Sequence, residues 1–366
     1  MYNKYWWAGI ILILALMTAC GTPDAPAPTP TPTPAEAGPQ VLHVYNWDNY
    51  MDPQILTDFE ESFGVEIDYQ IYGYSVEMLE EVLAGPVPYD VVVPADYVVE
   101  IMRREGLLAP LDRGNIPNFE NIDPLFLNPT YDPGNRYCVP YQWGTLGVGY
   151  HIEATGREIE SWGDVFDPES GYRVAWQGSA RDGLAPILLY LGYSPNTTDP
   201  DRIWEAAAFL QEHSARIVAY TEDEAHDFLA AGEADIALAW NGDIAGMMLD
   251  DPDMRYVIPQ EGAAIWVDTM CILATSERKA LAEAFINYIL EPEVGAALSN
   301  YLNYPTPNRA AMPHIDATAL ANPAIYPPDE VRARLFFLSD VGPVAMEVYD
   351  AAWAAVLDAH AGLGGQ

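Results

Sequence analysis

Positive charge is what this chain lacks most. It carries 16 Lys and Arg against 54 Asp and Glu, a formal net charge of -38. Such a balance argues against nucleic acid as a partner, because phosphate backbones are bound through Lys and Arg. Cysteine is also scarce, with three in 366 residues. The six His are scattered, and none has a neighbour at a ligand interval. There is no phosphate-binding glycine loop, no Gly-x-Ser-x-Gly and no His-Glu-x-x-His. The expectation is therefore a chain with no catalytic residue, no metal and no cofactor. Long apolar runs are missing apart from Trp6 to Met17, which is too short to span a bilayer comfortably.

That run reads as a secretion signal, with Lys4 ahead of it. It ends at Met17-Thr18-Ala19-Cys20-Gly21, which resembles a bacterial lipobox with Met17 in place of the usual Leu. Cys20 is the expected lipid attachment point, and residues 1–20 the signal. Residues 21–40 are rich in Pro, Thr and Ala, with Thr-Pro repeated from Thr29 to Pro34. Such a segment cannot bury a core and favours extended polyproline conformations, as a semi-rigid tether would. The expected location is outside the cytoplasm, held to a membrane through Cys20. In that compartment Cys138 and Cys271 are either a disulfide or two buried thiols.

The body from Val41 onward is long enough for two lobes. Val41 to Tyr45 reads as a buried strand. Asp52-Pro53 pairs a capping acid with proline at a helix start, and Ile55, Leu56, Phe59 and Phe63 follow at helical spacing before Gly64. Val65, Ile67, Tyr69 and Ile71 alternate with period two, as a strand does. A helix near Val76 to Leu83, a strand at Asp90 to Pro94 and a helix at Val98 to Arg104 come next. This order predicts an α/β lobe with a largely parallel sheet, whose ligands bind beyond the carboxyl ends of the strands. Trp47, Asp48 and Tyr50 fall on that rim, as do Asp96 and Tyr97. Further strands are expected at Asp235 to Trp240 and around Ala264 to Leu273, and a last helix near Pro343 to Leu357.

Three segments place a tryptophan beside an aspartate: Trp47-Asp48, Trp240-Asn241-Gly242-Asp243 and Trp266-Val267-Asp268. Gathered by the fold, they would make a pocket with aromatic walls and anionic corners. Indole faces attract cations by roughly 0.5 to 2 kcal/mol each. A carboxylate bonded to an ammonium adds about 1.5 to 3 kcal/mol. The chemistry suits a ligand with methylenes between separated positive charges.

Six runs in order resemble the spermidine/putrescine-binding family of bacterial ABC importers. They are Tyr45-Asn46-Trp47-Asp48-Asn49-Tyr50, Tyr89 to Pro94, Leu191 to Ser194 with Asn196 to Pro200, Trp240-Asn241-Gly242, Trp266-Val267-Asp268, and Tyr304-Pro305-Thr306-Pro307-Asn308. The resemblance implies a two-lobed type II periplasmic-binding fold with an interlobe cleft, hinged where the chain crosses near Gly144 to Gly149 and Trp266 to Met270. The lobes would be residues 41–145 plus 268–308, and 146–267 plus 309–366. It implies a monomer that binds a polyamine and delivers it to an ABC permease. The family's aromatic box maps onto Trp47, Tyr50, Tyr97, Trp240, Trp266 and Tyr304. Asp268 matches the acid that bonds an amine deep in the cleft. Asp243 matches an acid of putrescine-binding relatives, and Asp182 approximates a glutamate that holds a terminal amine.

The chain also departs from the pattern. Ser179 stands where spermidine-binding relatives have another acid, Leu338 falls near a cleft glutamine, Ala95 replaces a serine and Asp48 replaces a hydroxyl residue. A receptor of the same fold for another cationic solute, such as an amino acid or quaternary amine, is the alternative reading. An extracellular glycosidase using Asp243 and Asp268 beside aromatic platforms is the remote one.

Overall fold

The computed structural model describes residues 40–364 apart from 74 and 222. The signal, Cys20 and all of the tether except Gln40 lie outside the described residues. Among those described, no helix is long and apolar enough to cross a membrane.

Ten strands form one mixed sheet. They are β1 (Val41–Trp47), β2 (Glu66–Tyr72), β3 (Val91–Val92), β4 (Cys138–His151), β5 (Val174–Gln177), β6 (Ile217–Thr221), β7 (Ile236–Trp240), β8 (Met254–Val257), β9 (Ala263–Ile272) and β10 (Leu335–Phe337). The order along the sheet is β2-β1-β3-β9-β4-β7-β5-β6, with β10 added to β9 and β8 to β4. β1, β2 and β3 run parallel at one end, and β5, β6 and β7 run parallel at the other. Between them β4 and β9 are antiparallel to each other and to their flanking neighbours. The largely parallel order expected for the first lobe therefore holds over β1, β2 and β3, and β9 joins them antiparallel.

Two large cores sit at opposite ends of the β4–β9 ribbon. Val139, Tyr141 and Trp143 of β4, with Val267 and Met270 of β9, pack into a core with Leu42, Val44, Phe59 and Phe285. Leu146, Val148 and Tyr150 of β4, with Ala263 and Ala264, join Trp162, Trp176, Leu184 and Tyr349 in the other. All but the last of the fourteen residues of β4 are buried. The ribbon thus belongs to both lobes and joins them without an exposed linker.

Local signals explain the elements. The Asp52 side chain accepts the Gln54 amide, Pro53 opens helix Pro53–Phe63, and Gly64 closes it at φ 66°. The strand expected at Asp90 to Pro94 is only Val91–Val92. The following helix starts earlier than expected, at Asp96 rather than Val98. Beyond Val92, the Val93 carbonyl is taken by the Trp47 indole at 2.9 Å and the Tyr72 hydroxyl at 2.6 Å, so side chains replace a strand partner. The last helix extends from Gly342 to Gly364, past the expected Leu357.

The two inner cysteines are joined. Cys138 and Cys271 are directly opposite in the β4–β9 register and form a disulfide with Cα atoms 4.4 Å apart. The alternative of two free thiols does not hold. Residues 309–325 touch both halves: Ala311 and Ile315 pack with Ala296, whereas Ala324 and Ile325 pack with Ala245.

Candidate functional site

The polar and aromatic residues of interest gather where the parallel strands end. Trp47 closes β1, and Tyr50 follows after a turn in which Asn49 takes φ 50°. Asp96 begins the helix after β3, and its carboxylate accepts its neighbour's Tyr97 amide at 2.7 Å. Ser179 caps the helix after β5 and donates its hydroxyl to Asp182 at 2.6 Å. Asp223 follows β6. Trp240 closes β7, and Asp243 lies in the first turn of helix Asn241–Asp250. Trp266 and Asp268 rise from the middle of β9, with Gln142 of β4 directly opposite Asp268. This is the rim that an α/β sheet offers to ligands, here supplied from both ends of the sheet at once.

The aromatic rings form a connected wall. Trp240 and Trp266 meet edge to face with centroids 6.1 Å apart. Trp266 meets Tyr304 at 5.2 Å, and Tyr304 meets Tyr50 at 6.0 Å. Two glycines make the approach possible. A Cβ on Gly144 would lie 2.3 Å from Asn241 Oδ1 and 2.4 Å from the Trp266 ring, and one on Gly242 would lie 2.3 Å from the Tyr304 ring. Tyr97 is 55% exposed, so it stands at the mouth rather than in the wall.

Five carboxyl groups lie along this rim, and each acts electrostatically on at least one other. Asp268 is only 9% exposed, and burial pushes its pKa up to about 8, with Asp96 and Asp223 adding repulsion. Asp96 is 8% exposed and is pushed up to about 7 by burial, with Asp182 contributing. Asp182 is raised by burial and by Asp223, against the stabilising Ser179 hydroxyl and the Arg181 charge. Asp243 is raised mainly by burial, while His226 and the Tyr304 hydroxyl pull it down. Asp223 opens to the cleft, yet the surrounding protein desolvates it enough to raise it too. Its Oδ1 accepts the Trp240 indole N–H at 3.0 Å.

None of the five forms an ion pair with Lys or Arg among the described residues; the His226 ring comes within ion-pair distance of one, with Nδ1 3.6 Å from Asp243. Several polar atoms beside them are also buried without a hydrogen bond. They include the Gln142 side-chain carbonyl and the Trp266 indole N–H, while the Tyr50 hydroxyl faces Asp268. Such groups cost free energy unless something polar meets them. The arrangement is chemically suited to a cation with several N–H donors.

The structure brings together Trp47, Tyr50, Tyr97, Asp182, Trp240, Asp243, Trp266, Asp268 and Tyr304. Asp48 stands apart: it is exposed and accepts its neighbour's Asn49 amide at 2.9 Å. Ser179 proves to be a helix cap that orients Asp182. Leu338 follows β10 and packs on the second core. Ala95 is bridged by its backbone to Asp268. Sequence reasoning placed Asp96 on the rim without making it a site residue, and it missed Asp223, His226 and Gln142. The available signal for Asp223 was an acid run, Glu222-Asp223-Glu224, directly after an apolar strand. Outside the cleft, His151, Asp251 and Asp253 bring possible ligand atoms within 4.8 Å, a grouping the scattered His did not foretell.

Comparison with known proteins agrees with the geometry. The family of bacterial extracellular solute-binding proteins matches residues 54–326. The putrescine-binding periplasmic protein PotF of Escherichia coli is 31% identical, over 97% of this chain and 98% of that protein. The spermidine/putrescine-binding periplasmic protein of Salmonella typhimurium is 32% identical, over 84% of this chain and 89% of its own. Among solved structures, the spermidine/putrescine ABC transporter substrate-binding protein PotD of Streptococcus pneumoniae superposes with a TM-score of 0.83 at 31% identity, covering 88% of this chain and 99% of that one. The TpPotD lipoprotein of Treponema pallidum gives 0.78 at 27% identity, covering 87% and 99%. With its two-lobed type II fold and a cleft at the strand ends, the chain belongs to the bacterial extracellular solute-binding protein family, alongside these putrescine- and spermidine-binding proteins.

Proposed function

We propose that this protein captures polyamines in the interlobe cleft outside the cytoplasm and hands them to an ABC permease. The observation that carries the reading is the set of five cleft carboxylates with no Lys or Arg within ion-pair distance among the described residues, lined by four aromatic rings in contact. Trp240, Trp266, Tyr304 and Tyr50 pack the methylenes, with Trp47 and Tyr97 at the edges. Asp268 anchors one ammonium, Asp243 and Asp182 others. Binding restores the ionised form of acids that burial alone disfavours. No bond in the ligand is made or broken, so the protein acts as a receptor and not as an enzyme.

The lobes in this reading are residues 41–145 with 268–308 and residues 146–267 with 309–366, closing on the ligand as a monomer. Closure excludes water and strengthens each charge contact. Cys20 carries the lipid, and residues 21–40 hold the body off the membrane surface. The Treponema relative is itself named a lipoprotein, which supports this placement.

Thermal unfolding of residues 41–366 with putrescine, spermidine, spermine, arginine and glycine betaine in turn is the direct test. A ligand at about 100 times its Kd stabilises by about 2.7 kcal/mol. A shift with polyamines and none with the other two is the expected result; no shift with any polyamine overturns the proposal.

A further inference from the structure

The edge of β4 that faces β7 changes partners within a few residues. The Trp143 N–H goes to the Pro305 carbonyl at 3.2 Å, beside the core built on β1 and β3. From Leu146 onward the partner is β7, beginning at Trp240. Between the two, the Thr145 N–H goes to a side chain, Oδ1 of Asn241, at 2.9 Å. The first partner that β4 finds on the second lobe is therefore not a strand but an amide.

That amide is used twice. Its Nδ2 donates to the Ala324 carbonyl at 2.8 Å. Ala324 lies near the end of the 309–325 segment, which runs from Ala296 of helix Pro292–Leu302 to Ala245 of helix Asn241–Asp250. Two residues further on, Tyr326 reaches back. Its hydroxyl meets Ser299 Oγ at 2.9 Å and accepts the Thr306 N–H at 3.4 Å. The segment is thus held to one lobe through the Ala324 backbone and to the other through the Tyr326 side chain. Asn at a helix start commonly caps the first turn. Here Asn241 is 1% exposed and both of its amide groups are bonded elsewhere, to β4 and to Ala324, so no water can replace either partner.

We infer that Asn241 is a positioning residue that pins β4 and the 309–325 segment to each other where both pass between the lobes, and that this pin limits how far the lobes swing. The inference rests on the interlobe-cleft reading and adds to it the residue that governs closure. Trp240 and Asp243, on the same turn, are thereby fixed relative to β4. Without the Ala324 bond more lobe angles become accessible, and only those that bring this turn to Trp266 and Asp268 suit the ligand. Apparent affinity then falls by the fraction of molecules in the competent arrangement.

The test measures the distance between lobes. Spin labels on Glu61→Cys and Glu212→Cys, both exposed, report one lobe each, and the body's own cysteines are joined in the disulfide. Asn241→Asp keeps the oxygen that accepts the Thr145 N–H and sets a second oxygen against the Ala324 carbonyl. Double electron–electron resonance on the body should show a wider distance distribution than the parent's without ligand, and the parent's distance at saturating spermidine. Spermidine affinity should fall about tenfold. Tyr326→Phe, which frees the same segment from the other lobe, should also widen the distribution and decides the matter if the Asn241 variant does not fold. An unchanged distribution, or a wider one with affinity within about threefold of the parent's, overturns the role of Asn241. Failure of the unaltered protein to bind any polyamine overturns the polyamine reading alone, because the distances without ligand still decide whether Asn241 pins the lobes.

Discussion

Tyr304 donates its hydroxyl to Asp243 at 3.2 Å, joining the loop after helix Pro292–Leu302 to the first turn of helix Asn241–Asp250. The first belongs to the lobe built on β1–β3, the second follows β7 of the other. The bond crosses the cleft and uses one of the acids proposed to hold ligand. In the proposed reading it would tie selectivity to closure of the lobes.

That position should discriminate between ligands. Asp243→Ser removes an anchor from a diamine that has two and from a triamine that has three. Putrescine affinity should fall by about tenfold or more, the value of one charge-assisted hydrogen bond, and spermidine affinity by less. Titration of both ligands into the variant decides it, and equal losses would show that Asp243 does not select.

Asp268 is the shared anchor. Asp268→Asn should cost about tenfold to a hundredfold in affinity for every polyamine, since a buried acid bonded to an ammonium contributes about 1.5 to 3 kcal/mol. The unliganded fold should be as stable or more so, because the substitution removes a carboxyl whose ionisation burial disfavours. An affinity within about threefold of the parent protein would exclude Asp268 as anchor.

The raised carboxyls set the sign of the pH response. Asp268, at about 8 against 3.8, and Asp96, at about 7 against 3.8, hold protons in the folded state where the unfolded chain has lost them. The unliganded protein should therefore lose stability as pH rises from about 4 to about 8. Polyamine affinity should move the other way, rising over pH 5.5 to 8 as binding drives protons off these acids, by up to about tenfold per unit for each proton released. Titrations in buffers of different ionisation enthalpy would count those protons. A flat affinity over that range would contradict the burial of both acids.

Reduction of the Cys138–Cys271 disulfide should destabilise the body without emptying the cleft. The bridge closes a loop with a sequence separation of 133 residues, and releasing such a loop costs roughly 2 to 5 kcal/mol. Denaturant melts with and without reductant should show that difference, with polyamine affinity unchanged within about threefold. A loss of binding equal to the loss of stability would mean that the bridge also shapes the site.

Much of the cleft was legible because its residues sit beside strand ends that announce themselves. Trp47, Trp240 and Trp266 each close or interrupt an apolar run. Asp48 looked equivalent to Asp243 and Asp268 from its neighbour alone, but adjacent residues of an extended chain point to opposite faces, and beyond β1 it turns to solvent. Asp223 was hidden for the converse reason. Its importance depends on β6 lying next to β5, and on the Trp240 indole reaching it from β7, relationships that no local pattern contains. The cysteine pairing depended in the same way on the β4–β9 register.

Gly144 carries one more consequence. The Trp266 ring and the Asn241 side chain rest directly on its backbone, at the point where β4 passes from one core to the other. A change in twist between β4 and β9 at that point cannot leave the indole where it was. In the proposed reading, the ring that would touch the ligand and the joint on which the lobes would hinge are one mechanical part. A ligand bound there would work as a wedge on that joint, so affinity and the angle between lobes should vary together rather than be tuned separately.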